Sequence, residues 1–196
     1  MKLLLASTSI YRKNLLTRAG YRFQAEAPLA DEEALKIHGP SDPQELTRFL
    51  ALKKAESLMN QFSDYWIVGS DQAAILDNVL LHKPKTRERA IAQLTQMSAR
   101  THHLITSMAI LRADCPAFVF TDVTSIRFRK LSLEEIESYL DRDQPFDCAG
   151  SYKFEKGGIT LIENIETKDP TAIEGLPVIA LTSFFIEKGF SLSTVI

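Results

Sequence analysis

Two short segments hold most of the chemistry available in this sequence. Ser7-Thr8-Ser9-Ile10-Tyr11-Arg12-Lys13 follows an apolar run and opens a helical pattern. Hydroxyls at a helix start aim backbone N–H groups and a partial positive charge at one point, and Arg12 and Lys13 add formal charge there, as phosphate binding requires. An ordinary Ser N-cap beside solvated basic residues accounts for the pattern equally well, because no Walker glycine framework accompanies it. Gly69-Ser70-Asp71-Gln72 comes immediately after the apolar Trp66-Ile67-Val68. An Asp at the exit of a buried strand can orient a water, accept its proton or hold a hydrated Mg²⁺. A turn Asp is the plainer reading for such a residue standing alone.

Asp31, Glu32, Lys54 and Lys83-Pro84 are scattered charges of the kind that usually lie solvated on a surface. Convergence of these residues in one place would make a phosphate and metal site of them. His102 and His103 are adjacent on a β-rich run, so they face opposite sides and do not share a metal. Cys115 and Cys148 have no CxxC or His-linked spacing, which suggests neither a disulfide framework nor a zinc site and fits a reducing cytosol.

Interleaved strand and helix patterns position these residues. Residues 2–6 read as a buried strand, followed by a helix with Leu15, Leu16 and Ala19 on one face and Gly20 as its stop. Residues 21–25 alternate like a second strand, and 28–43 read as a polar, acidic stretch. A long helical period runs over 44–62 through Leu46, Phe49, Leu50, Lys53 and Leu58. Trp66-Ile67-Val68 reads as a strand ending at Gly69, and Asp77-Asn78 as a hairpin turn between residues 73–76 and 79–81. A helix is expected from Thr86 to Met97, β-rich runs over 104–111 and 118–128 around a Cys-Pro break, and a capping box at Ser132-x-x-Glu135. Residues 150–163 read as a Gly-rich strand region, and a last helix begins near Pro177. The fold class is α/β in a single domain over 1–196.

Composition narrows the class of function. At 196 residues, 45% hydrophobic and 24% charged, the chain suits a soluble domain with a sizeable core. Its 23 basic against 25 acidic residues leave a net charge of −2, so no global basic field recruits nucleic acid, double- or single-stranded. The apolar start is too short for a signal peptide, and the run from Leu176 to Ile186, broken by Thr182 and Ser183, is too short to span a bilayer. A cytoplasmic protein without membrane partners is the expectation.

Taken together, these residues resemble the Maf family of nucleoside triphosphate pyrophosphatases across nearly the whole chain. The marks are Leu5-Ala6-Ser7-Thr8-Ser9 with Arg12, Asp31-Glu32, Leu50-Ala51 with Lys54-Ala55, Gly69-Ser70-Asp71, Lys83-Pro84, Met97-Ser98, Ala149-Gly150-Ser151-Tyr152 and Gly175-Leu176-Pro177. Each alone is weak, whereas their order and spacing are specific. Tyr11, Gln72, the stretch from Cys148 to Glu155, and Asp169-Pro170 match the branch that acts on 7-methyl-GTP. Ile10 stands where the family usually has Pro, Ala99 and Ser107 where it has Gly, and His82 where Gly is frequent. None of these departures removes a charged group.

The resemblance implies a twisted mixed sheet with flanking helices, in an elongated two-lobed body with a central cleft similar to the inosine triphosphatases. It implies hydrolysis between the α- and β-phosphates to a nucleoside monophosphate and pyrophosphate. Ser7, Ser9, Arg12, Lys54 and Lys83 would bind the phosphates, Asp71 would act as base, and Glu32 would hold a divalent Mg²⁺ or Mn²⁺ or its waters. Tyr11 would stack on the cationic N7-methylated base, Glu155 would accept its N–H donors, and Gln72 would add an amide contact. Family members often form homodimers, a state the sequence leaves open. The family's association with septum formation supplies the alternative function, a nucleotide-sensing regulator without significant turnover.

Overall fold

In the computed structural model, which describes residues 1–195, the apolar run near the start of the chain forms β1 (Leu3–Ala6), and all four of its residues are buried. The reason is packing on both sides. Leu3 and Leu5 enter one core with Leu15, Leu16, Trp66, Val68, Met108 and Ile110, while Leu4 and Ala6 enter another with Ala51, Ala55, Ile67 and Ala109. A strand covered on both faces has no need of the apolar–polar alternation of a half-solvated one. Each fully buried Leu, Ile or Val contributes about 1.5–3 kcal/mol.

The remaining elements follow in chain order: α1 (Ile10–Arg18), β2 (Gln24–Glu26), α2 (Glu32–His38), α3 (Pro43–Glu56), β3 (Trp66–Leu76), β4 (Val79–Leu81), α4 (Arg87–Met97), β5 (Thr101–Arg112), β6 (Cys115–Phe128), α5 (Leu133–Asp143), β7 (Ile162–Glu166), α6 (Val178–Glu187) and α7 (Leu192–Val195). The strands form one mixed sheet in the order β2-β1-β3-β5-β6-β7, with β4 also on β3. β1 runs parallel to β2 and to β3, whereas β3–β4 and β6–β7 are antiparallel. By contact density the chain divides into two compact units. One comprises Met1–Gln72, Thr106–Asp122 and the chain from Asp169 onward, and the other Ala73–Ile105 and Val123–Lys168.

In the first unit, α1 and α6 cover one face of the sheet and α3 the other. Trp66 meets Phe184 and Phe185 edge-on at 5.4 and 5.7 Å, the geometry that aromatic quadrupoles favour. Ser9, Asp31 and Asp42 cap α1, α2 and α3 through their side chains. Pro177 gives α6 no such cap. Buried Asp169 substitutes, accepting from Ile179 N at 2.9 Å and Ala180 N at 3.2 Å.

In the second unit, Asp77 and Asn78 both take positive φ, the mark of a tight turn joining β3 to β4. Ser132 and Glu135 form both bonds of the expected capping box at the start of α5. His102 is buried with Nε2 2.9 Å from the Tyr152 hydroxyl and its ring edge-on to Phe128, while His103 is exposed, as their adjacency on a strand requires. Burial, with a lesser push from His103, takes the His102 pKa down to about 4.

Several expectations need correction. β3 does not end at Gly69 but continues through Asp71 to Leu76, so Asp71 lies within a strand. The acidic stretch before Pro43 contains α2, which buries no residue and so leaves no apolar period to read. The buried face of α3 carries Thr47, Leu50, Ala51, Lys54 and Ala55, not the line through Phe49 and Lys53. Cys115 and Pro116 open β6, and the break between β5 and β6 falls just before them, at residues 113–114. Residues 150–163 are mostly tight turns, with a strand only from Ile162, because Gly150 and Ser151 have positive φ and Gly157 and Gly158 pack closely on neighbouring atoms.

Candidate functional site

Gly69 is where the site begins. A Cβ there would lie 2.1 Å from the Ala51 carbonyl and 2.9 Å from the Ala55 nitrogen, both backbone atoms of α3. Only glycine lets the helix lie this close on β3. Lys54 lies between those two helical residues and Asp71 lies two residues further along the same face of the strand, so the close approach brings them together. Lys54 Nζ stands 2.7 Å from Asp71 Oδ1 and 2.9 Å from Glu32 Oε2. The lysine is buried, which these two carboxylates make tolerable. Glu32 is presented by the first turn of α2. Burial pushes its carboxyl pKa up, but Lys54 and Lys36 together pull harder and leave it below its ordinary value.

Arg12 approaches from α1. Its Nε donates to the Gly175 carbonyl at 2.8 Å and its Nη1 to Ser7 Oγ at 3.4 Å. Ser70 Oγ donates to the same Gly175 carbonyl at 2.7 Å. Gly175 takes φ +94, which closes the preceding turn and aims that carbonyl, and a Cβ there would stand 3.2 Å from Arg12 Nε. Burial lowers the guanidinium pKa, opposed by the charges of Asp71 and Glu32. Ser7 Oγ accepts the Ser9 N–H at 3.1 Å, and Ser9 Oγ accepts the Arg12 N–H at 3.5 Å as the helix N-cap. Ser9 thus has the plain capping role in this structure, while the α1 N-terminus keeps its partial positive charge.

Tyr11 is half-buried in the first turn of α1. Gln72 leaves β3 on the face opposite Asp71, where its amide nitrogen donates to the Ala172 carbonyl at 2.9 Å. The first unit therefore holds Ser7, Ser9, Tyr11, Arg12, Glu32, Lys54, Asp71 and Gln72. Lys83 and Glu155 belong to the second. Lys83 is exposed in the loop between β4 and α4, and Glu155 is exposed in a turn after Tyr152.

Sequence reading gave no role to three supports of this cluster: Lys36, 3.5 Å from Glu32; Ser70, buried and donating to the same Gly175 carbonyl as Arg12; and Thr106, against Gln72. Lys36 had a readable signal, since it stands four residues after Glu32 at the spacing of a helical ion pair. The other two rest on contacts more than 30 residues apart in sequence, which no local pattern carries.

Two carboxylates converging on one point supply the hard oxygen donors that Mg²⁺ or Mn²⁺ takes. No group of three or more His, Cys, Asp or Glu side chains suited to a metal occurs among the described residues. Two protein carboxylates fit an ion whose other ligands are waters and phosphate oxygens, the usual way of holding Mg²⁺. A cavity of about 460 Å³ opens near α2 and α3, lined by Asp31, Ala34, Leu35, His38, Lys53 and Glu56, but it includes neither Glu32 nor Lys54. No described helix is long and apolar enough to cross a membrane.

Comparison with known proteins finds relatives along nearly the whole chain. A 7-methyl-GTP pyrophosphatase of Bdellovibrio bacteriovorus is 45% identical over 181 residues, covering 92% of this chain and 93% of that protein. One of Xanthomonas axonopodis pv. citri is 42% identical over 191 residues, covering 97% and 98%. The solved structure of the Staphylococcus aureus Ham1 protein superposes with a TM-score of 0.50 at 12% identity, over 97% of this chain and all of that one, and so shares the fold. The Maf-like protein family matches residues 2–187, the span that contains Arg12, Glu32, Lys54 and Asp71, and the chain belongs to that family.

Proposed function

We propose that this protein hydrolyses the α–β phosphoanhydride of 7-methyl-GTP, or of a related modified nucleoside triphosphate, to the nucleoside monophosphate and pyrophosphate. The observation that carries the reading is the buried Lys54 held between Asp71 and Glu32. Relatives that share 42–45% identity over more than nine-tenths of the chain are named for this activity.

The residues divide the work by chemistry. Asp71 takes a proton from a water, whose oxygen bonds to the α-phosphorus as the bond to the β-phosphate oxygen breaks and pyrophosphate leaves. Lys54 has three N–H donors, two engaged by Asp71 and Glu32, and the third is left for a phosphate oxygen. Arg12 adds a fixed guanidinium and the α1 N-terminus its partial charge, so negative charge developing on the phosphates meets preorganised positive groups. Ser7 and Ser9 shape that turn. Glu32 and Asp71 would hold Mg²⁺ or Mn²⁺, which when bound offsets phosphate charge. Lys83 enters this reading as a further phosphate contact, and Tyr11, Gln72 and Glu155 as the residues that select the base. A cytoplasmic location suits such a substrate.

The test is pyrophosphate release from 7-methyl-GTP, GTP, dTTP, UTP and CTP with added Mg²⁺ or Mn²⁺, for wild type and Asp71→Asn. Turnover preferring 7-methyl-GTP, and a loss on the order of 10²-fold or more in kcat for a folded Asp71→Asn protein, are expected. Tight nucleotide binding without turnover by the wild type would overturn the reading in favour of a sensor.

A further inference from the structure

Gln72 is held by acceptors alone. Its Nε2 donates to Thr106 Oγ1 and the Ala172 carbonyl, each at 2.9 Å, and lies 3.2 Å from the Ile173 carbonyl. Thr106 is 1% exposed and its hydroxyl donates its single proton to the same Ala172 carbonyl at 2.9 Å. Toward Gln72 that hydroxyl can therefore only accept. Turned over, the amide would set its oxygen against two carbonyl oxygens and a hydroxyl with no proton left to give. The nitrogen must face inward. Oε1 is left on the other side, where no described residue donates to it and where it is not buried.

We propose that Thr106 is a positioning residue for base selection, locking Gln72 with its oxygen outward so that Gln72 reads the nucleobase only as a hydrogen-bond acceptor. The ligand class this selects is a base presenting an N–H donor on its edge, as guanine does with N1–H and its 2-amino group. An unmatched base leaves Oε1 without a partner in the complex, which is how a polar pocket rejects it. The inference rests on the proposed function, in which Gln72 lies beside the base.

The experiment measures kcat and KM for 7-methyl-GTP in wild type, Thr106→Val, Thr106→Ser, Gln72→Leu and the double variant Thr106→Val/Gln72→Leu. Thr106→Val is nearly isosteric but cannot accept, and should raise KM about 3- to 10-fold, the worth of one neutral hydrogen bond, with kcat within about twofold. Thr106→Ser should restore KM, and the double variant should be no worse than Gln72→Leu alone. Thr106→Ala carries the same expectation if the Val variant does not fold. An unchanged KM in Thr106→Val with a raised one in Gln72→Leu overturns the positioning role and leaves base reading by Gln72 standing. Effects that multiply in the double variant, or a Ser variant as impaired as Val, overturn it in the same way. A Gln72→Leu enzyme with wild-type kinetics takes Gln72 away from the base, and the proposal falls with it. A wild type that turns over no nucleotide overturns the proposed function, and the same variants are then read by their Kd for 7-methyl-GTP.

Discussion

Lys54→Met removes one charge and little volume, and its consequence follows from the distances. The ammonium stands 2.7 Å from Asp71 and 2.9 Å from Glu32, with side-chain exposures of 6% for Lys54, 13% for Asp71 and 39% for Glu32. Breaking a fully buried pair costs about 3–5 kcal/mol, because the partner is left charged and uncompensated. Glu32 is more than one-third exposed, so its half of the interaction is partly screened and supplies the smaller share of the loss, on the order of 1 kcal/mol. A loss of about 2–3 kcal/mol at pH 7 is therefore expected, or about 5–10 °C in Tm for a chain of this size. The loss must also depend on pH in a definite sense. Lys54 helps hold the Glu32 carboxyl below its ordinary value, so the stability this pair supplies is complete above the unfolded pKa of about 4.3 and disappears as pH falls through the folded value. The gap between wild type and Lys54→Met should be widest near pH 7 and narrow below pH 4. Urea denaturation of both proteins across that range measures it, with activity on the nucleotide panel as a second readout that should fall for every base. A variant within about 0.5 kcal/mol of wild type at pH 7, or a loss unchanged by acid, would refute the argument that Lys54 is held by these carboxylates.

Arg12→Ala and Lys83→Ala should each lower kcat/KM by a similar factor for all nucleotides, since the triphosphate is common to them; a changed base preference in the nucleotide panel would remove that residue from phosphate binding. Tyr11→Ala should lose about 2- to 30-fold more on 7-methyl-GTP than on GTP, the worth of a cation–π stack with the charged base, and Glu155→Gln should shift the same kcat/KM ratio. An unchanged ratio in both would leave these residues with no part in base selection. His102 folds neutral with its pKa near 4, so its contribution is complete above its unfolded value of 6.5 and is lost as pH falls toward 4, about 3 kcal/mol in all. His102→Gln should flatten the stability curve over that window, and equal pH dependence in the two proteins would show that the ring does not control it.

How far the sequence could be read depended on whether a residue's neighbours were local. β1 and α1 were legible because buried strands are apolar throughout and Gly20, with φ +84, punctuates the helix. The capping box at Ser132 and the turn at Asp77-Asn78 were legible for the same reason, since three or four consecutive residues complete each of them. The segment from Gly69 to Asp71 misled because glycine before a polar pair reads as a turn, whereas Gly69 serves the approach of α3 and the strand runs on. α2 left no apolar period to read, because such a period needs a buried face and this helix has none; only the Glu32–Lys36 spacing pointed to it.

The candidate site carried one signal stronger than any used in reading the sequence. Thr47, Leu50, Ala51, Lys54 and Ala55 share the buried face of α3, so a lysine stands where the helix turns inward. A lysine on such a face must find a carboxylate or destabilise the fold, and an unexplained buried cation is therefore a demand for acids elsewhere in the chain. Asp71 and Glu32 meet that demand from 17 and 22 residues away in sequence. Their pairing also fixes what the cluster can do, because Lys54 and Lys36 hold the Glu32 carboxyl below its ordinary value, and an ionised carboxylate can both take a proton and hold a hard cation. The polarity of Gln72 is the opposite case. Its amide direction is set by Thr106 and by the carbonyls of Ala172 and Ile173, at least 34 residues away, and a sequence gives an amide no preferred side until those groups are placed. The charged core of the site can thus be inferred from one misplaced lysine, while the choice of base depends on hydrogen-bond directions that only the folded chain supplies.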